Sequence, residues 1–130
     1  ENVLGTHEST FEVTTDDYLT PAGDCIIGIN ADIAPCDVSD DFVARCQHHD
    51  SVIRVRISVD SYESVITGAG HPDLTFDSDR SFVFRTSSYI DDRTVMVAAD
   101  KAAADIDRKL IQLLAEGKPV AIEMRVSEGE

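Results

Sequence analysis

The feature that most constrains this chain is that it repeats itself. Laid over itself at an offset of 71, the sequence places Val3 on Leu74, Phe11 on Phe82, Val13 on Phe84, Thr15 on Thr86 and Tyr18 on Tyr89. Past Pro21-Ala22-Gly23 the offset becomes 68. Asp24 then falls on Asp92, Ile27 on Val95, Ile29 on Val97, Asp32 on Asp100, Asp37 on Asp105, Phe42 on Leu110 and Cys46 on Leu114. At an offset of 67, Ile53, Val55, Ile57 and Val59 fall on Val120, Ile122, Met124 and Val126. An ordered series that needs only two small gaps reads as two copies of one unit, at about 1–59 and 62–126. A unit of ~60 residues is marginal on its own, so the copies are expected to share one core in a single domain spanning 1–130.

Each copy reads as strand, strand, helix, strand. Residues 9–15 and 80–86 alternate apolar and polar and are predicted as half-buried strands. Residues 25–31 and 94–99 are short β-branched runs suited to central strands. Helices are predicted at 38–48 and 102–116, with Val38, Phe42 and Cys46 matching Ile106, Leu110 and Leu114 at i, i+4, i+8. Gly117 and Pro119 supply the expected helix stop. Ile53 to Val59 and Val120 to Val126 alternate cleanly as final strands. Residues 62–69 form a hairpin with the strand before them, turning at Asp60-Ser61. Their counterpart in the first copy would lie upstream of Glu1, where a strand ending in Gly-His or a similar pair is expected. The fold class is α+β: tandem pseudo-twofold ββαβ repeats forming a small barrel or a curved, mostly antiparallel sheet with two helices.

Charge narrows the partners. Asp and Glu number 25 against 11 Lys and Arg, a formal charge of −14, while 42% of residues are apolar. The chain can therefore build a core, and its acidity argues against nucleic acid or an anionic membrane as partner. An Arg stripe at Arg54, Arg56 and Arg125 is the one footing for RNA, and Glu123 interrupts it. No apolar run approaches the ~20 residues of a membrane span. Asp outnumbers Glu 17 to 8, which suits either a salt-adapted protein or Asp-rich turns. Cys25, Cys36 and Cys46 are odd in number and form no CxxC pair, pointing to free thiols in a reducing cytoplasm.

Candidate chemistry concentrates at the strand-to-helix turn 99–105. Asp100, Lys101 and Asp105 flank three alanines that open a helix, where free amides, close backbone approach and a lysine suit a small anion. Ordinary capping by Asp100 or Asp105 accounts for the same residues, and Asp32 and Asp37 in the first copy favour it. His71, held extended by Pro72, is a second candidate, with His7 nearby in type but not in register. Arg93, next to Asp92 and four residues beyond Tyr89, is a third. Tyr18 and Tyr89 read as polar-pocket residues or, more economically, as packed structural corners. No zinc-spaced Cys/His set is present, so no metal is expected. No cofactor motif appears, and the cofactor is unknown.

Gly-His-Pro-Asp-Leu-Thr at 70–75, Arg-Thr-Val-Met-Val at 93–97, Ala-Asp-Lys-Ala-Ala-Ala-Asp at 99–105 and Thr-His-Glu-Ser-Thr-Phe-Glu at 6–12 resemble an archaeal domain-of-unknown-function family, numbered 371. Asp-Tyr-Leu-Thr-Pro-Ala-Gly-Asp-Cys-Ile-Ile-Gly at 17–28 extends the resemblance over essentially the whole chain. It implies a cytoplasmic archaeal protein and implies no activity. Ile33 stands where the second copy has Lys101. Two readings follow. One is a small-molecule or anion-binding module using His71, Arg93, Asp100, Lys101 and Asp105. The other is an interaction or assembly protein that forms a homo-oligomer through exposed strand edges.

Overall fold

A computed structural model describes residues 10–15, 26–29, 31–116 and 118–128. Its strands are β1 (Thr10–Thr14), β2 (Ile26–Gly28), β3 (Ser51–Val59), β4 (Tyr62–Ala69), β5 (Ser81–Arg85), β6 (Thr94–Met96) and β7 (Ala121–Glu128). Its helices are α1 (Asp40–Cys46) and α2 (Arg108–Ala115), each preceded by a 3-10 turn, at Pro35–Asp37 and Ala103–Asp105. The fold is α+β, as expected. Among the described residues it is two open sheets, in the orders β2-β1-β5-β6 and β4-β3-β7, and not a closed barrel.

The second sheet is wholly antiparallel: Val55 of β3 faces Ile66 of β4 on one side and Met124 of β7 on the other. The first sheet is antiparallel at its centre, where Glu12 faces Val83, and parallel at its two outer pairs. Two backbone bonds tie the sheets together on one side. Ala69 N donates to Val97 O at 2.7 Å, and Val97 N donates to Ala69 O at 3.1 Å.

Side chains from both sheets and both helices meet in one core. Phe11 and Phe84 stack face to face at 4.3 Å across the β1–β5 pair. Ile53, Val55, Ile57, Ile66, Met96 and Leu110 are fully buried. The alternation at β1 and β5 predicts one wet face, yet Thr10, Glu12, Thr14 and Ser81 are buried as well. Their burial is tolerable because the polar atoms are bonded: Ser81 Oγ donates to Thr14 Oγ1 at 3.2 Å, and Thr14 Oγ1 donates to Arg80 O at 3.4 Å.

The helices are shorter than their apolar spacing predicts. The Asp105 carboxylate accepts from Ala102 N at 3.0 Å, and Asp37 accepts from Ala34 N at 2.9 Å. Each bond closes a single 3-10 turn, and the chain then leaves it in extended conformation at Ile106 and at Val38. The α-helices restart under new caps. Ser39 Oγ accepts from Phe42 N at 3.2 Å, and Asp107 Oδ1 accepts from Lys109 N at 2.8 Å. Gly117, the expected helix stop, lies outside the described residues, as do Tyr18, Asp24 and Cys25.

Candidate functional site

The five residues singled out in the sequence have four separate sets of partners. Asp100 and Lys101 lie against β4. Thr67 N donates to Asp100 Oδ1 at 3.0 Å, Asp100 N donates to Thr67 O at 2.9 Å, and Lys101 Nζ donates to Val65 O at 3.2 Å. Asp105 holds the 3-10 turn just described. The polar groups of the turn 99–105 are thus engaged with the backbone of their own chain.

Arg93 belongs to a different cluster. Its guanidinium lies 3.2 Å from Asp91 Oδ2 and 4.0 Å from Glu12 Oε1. Arg85 donates through Nε to Thr94 Oγ1 at 2.8 Å and through a terminal nitrogen to Asp91 Oδ2 at 3.0 Å. Partial burial alone would raise the Asp91 carboxyl. Bonds from the Arg93 backbone and side chain and from Thr94, with the charge of Arg85, outweigh it and bring the group down to about 2. Tyr89 is not a packed corner: its ring is 61% exposed, with the Arg85 guanidinium 4.8 Å above it. An Arg at that position has a charge to hold and a ring face to lie on, so the tyrosine stays outside.

His71 sits apart again. Its Nδ1 accepts from Asp73 N at 2.9 Å, and its ring meets His49 edge-on at 4.6 Å. The companion considered for it, His7, lies outside the described residues. Among the described residues no group of three or more His, Cys, Asp or Glu is placed to hold a metal. Cys46 is buried, and burial pushes its thiol up to about 12 against the opposing charge of Arg45, so it is no nucleophile. Cys36 is exposed. On the outer face of β3, Arg56 is held between Glu63 at 3.2 Å and Glu123 at 3.4 Å, which breaks the arginine stripe.

A concave feature lies elsewhere. A groove of about 840 Å³ opens between β2, α1 and β7. Ile27, Phe42, Phe82, Ile122 and Met124 are among the side chains that line it, and Asp32, Ser39 and Lys118 stand with them. β7 turns the same apolar alternation inward as β3 does. Yet Ile53, Val55 and Ile57 are fully buried, while Ile122, Met124 and Val126 are only partly so. Ile33 beside the groove is 49% exposed. Among the described residues β7 pairs with β3 alone and β2 with β1 alone. Residue-by-residue inspection for polar chemistry misses this groove. The signal that finds it is the clean apolar alternation of Val120, Ile122, Met124 and Val126.

Among the described residues no helix is long and apolar enough to cross a membrane. The family model described as a domain of unknown function, DUF371, matches residues 1–127. A curated relative, an uncharacterized protein of the archaeon Methanocaldococcus jannaschii, is 41% identical over 126 residues, covering 97% of this chain and 93% of the relative.

Proposed function

The chain belongs to the DUF371 family, and we propose that it is a strand-accepting interaction module: an extended polypeptide segment pairs with the edge of β7 that is unpaired among the described residues and lays apolar side chains into the groove beside it. The observation that carries this reading is the other half of the molecule. There β4 fills the corresponding place, between β3 and the end of β6, and Ile53, Val55 and Ile57 of β3 and Met96 of β6 are fully buried.

The reading rests on taking the chain as two copies of one unit about an approximate twofold axis, and four kinds of match support that. Glu12 pairs with Val83 and Arg56 with Glu123, and each pair consists of counterparts at the sequence offsets. Ala31 N donates to Thr14 O at 3.0 Å, as Ala99 N does to Arg85 O at 2.9 Å. Asp37 and Asp105 make the same capping bond. Finally, Phe76 and Ala98 have positive φ of 54° and 52°. Their counterparts in sequence are Gly5 and Asn30, residue types that adopt that conformation most readily.

Of the two readings available from sequence, this favours the interaction module. The small-anion reading at 99–105 would require Asp100 and Lys101 to give up the bonds that seat β4, and Asp105 the bond that closes the 3-10 turn. The test is a titration of the 130-residue chain with a peptide of the sequence Ser61–His71, followed by amide chemical shifts. Shifts confined to β7, β2 and α1, absent with a scrambled peptide, are the expected result. Unchanged β7 amides at millimolar peptide would refute it.

A further inference from the structure

We propose that the strand received at this edge is β7 of a second copy of the chain, paired antiparallel to the first about a twofold axis through Met124. The proposal rests on the strand-accepting reading and adds the identity and register of the partner.

Backbone geometry decides which residues can pair. β3 and β4 are joined by the two-residue turn Asp60-Ser61, with Val59 opposite Tyr62. In such a hairpin the flanking pair exchanges backbone bonds, and so does every second pair beyond it. The bond from Gly70 N to Ser51 O, 3.1 Å, keeps that parity to the far end of the strand. Val52, Arg54, Arg56 and Ser58 therefore direct their backbone groups to β7, opposite Ser127, Arg125, Glu123 and Ala121. Ile122, Met124 and Val126 direct theirs to the other edge, which is unpaired among the described residues.

Three twofold registers keep most of that edge paired, and charge distinguishes them. An axis through Glu123 sets Glu123 against the second copy's Glu123, and an axis through Arg125 sets arginine against arginine. An axis through Met124 sets each Glu123 against the other copy's Arg125. Like charges directly opposite are unfavourable and unlike charges favourable, so the strand is self-complementary in the third register alone. Arg125 gains most from it. On β3 it faces Arg54, a like charge, and its carboxylate partner is Glu123 of its own strand at 3.3 Å. Glu123 already holds Arg56 at 3.4 Å. The second copy's Glu123 would stand on the side of Arg125 away from Arg54.

The apolar face agrees with this register. The same axis sets Met124 against Met124 and Ile122 against Val126. All three are partly buried in one copy, and Ile122 and Met124 line the groove. In the pair they form one continuous apolar strip, with more of each side chain removed from water.

Disulfide mapping tests this, in the 130-residue chain carrying Cys25→Ser and Cys36→Ser. Glu123 and Arg125 are exposed, so a cysteine at either place leaves the core intact. In the proposed register Glu123→Cys of one copy lies opposite Arg125→Cys of the other, within disulfide reach. Two copies of a single variant hold their new thiols about 8 Å apart, which is too far. The reaction is run with oxidised glutathione at about 0.3 M sodium chloride, where the screening length is roughly 6 Å. An equal mixture of the two variants should give roughly tenfold more cross-linked pairs than either alone, with the link mapped to 123 and 125. Cross-linking of either variant alone at the level of the mixture overturns the proposal, because the axis then passes through like charges. Absence of cross-links in every sample overturns it too. The Ser61–His71 peptide separates the two levels of the argument. If it shifts the β7 amides while the mixture fails to cross-link, a different partner supplies the strand: the proposal falls and the strand-accepting reading stands. If neither is seen, both fall.

Discussion

Gly70→Ala is the substitution whose cost the structure specifies most closely. Gly70 N donates to Ser51 O at 3.1 Å, and the next amide, His71 N, donates to Cys46 O at 3.0 Å. These bonds dock the exit of β4 against the end of α1. A methyl group on Gly70 would lie 2.1 Å from the Cys46 carbonyl oxygen and 2.9 Å from that of His48. Both obstacles are backbone, so no rotamer change relieves them, and the segments must part by about 1 Å to reach normal contact. Overpacking of that kind costs about 1–3 kcal/mol, and weakening two backbone bonds adds roughly 0.5–1.5 kcal/mol each. A loss of about 4 kcal/mol is expected, a large share of the 5–15 kcal/mol typical of a domain. Gly28→Ala is the control, because its methyl meets nothing closer than 3.7 Å. It should be neutral or stabilise by about 0.4–1 kcal/mol by restricting the unfolded chain. Urea denaturation of the three proteins in parallel, followed by far-ultraviolet circular dichroism, gives both numbers. A difference between the variants of less than about 1 kcal/mol would refute the packing argument.

Asp37→Ala and Asp105→Ala each remove one equivalent cap, so each should cost about 1 kcal/mol in the same assay, with the two values alike. Asp91 is depressed from 3.8 to about 2. Its contribution is therefore complete above about pH 4 and is lost as pH falls toward 2. Solvent screening at this partly open site holds it to about 1 kcal/mol, and Asp91→Asn should flatten the acid limb of a stability–pH profile between those values. A thiol reagent at pH 8 should modify Cys36 in the folded chain and spare Cys46 until denaturant is added, as peptide mapping by mass spectrometry would show.

How much of this was legible in the sequence varies by level. The α+β class and the approximate positions of strands such as Ser51–Val59 and Ala121–Glu128 were readable because Ile53 to Val59 and Val120 to Val126 alternate apolar and polar residues. The helix starts were misread. Ala102, Ala103 and Ala104 are strong helix formers, and the stripe Ile106, Leu110, Leu114 runs unbroken past them. What stops the helix is a side-chain bond from Asp105 to the Ala102 amide, and periodicity carries no trace of it. Asp100 and Lys101 looked like ligand groups because their partners are backbone atoms of β4, more than thirty residues away. The groove was the reverse case. Val120, Ile122 and Met124 alternate as faithfully as Ile53, Val55 and Ile57, because both strands carry the same instruction to face a core. Whether a neighbour covers them depends on strand pairing, which alternation does not encode.

An uncovered apolar edge carries a risk of pairing with its own kind, and this chain's charge bears on it. Among the described residues β7 has one unpaired edge beside partly exposed Ile122 and Met124, the arrangement that leads strands of separate molecules to pair. Two copies approaching edge to edge each bring a formal charge of −14. At low ionic strength that repulsion acts over ~30 Å, but at 1 M salt the screening length falls to ~3 Å and the edges can meet. A chain that begins at Glu1 should therefore be monomeric by light scattering at ~0.01 M salt and associate increasingly toward 1 M. Apolar contact strengthens over the same range only with excluded salts such as sulfate, so sodium chloride isolates the screening effect. The Ser61–His71 peptide, if it occupies β7, should suppress the association. Association that is equally strong at both salt concentrations, or that the peptide leaves unchanged, would show that the copies meet through some surface other than this edge.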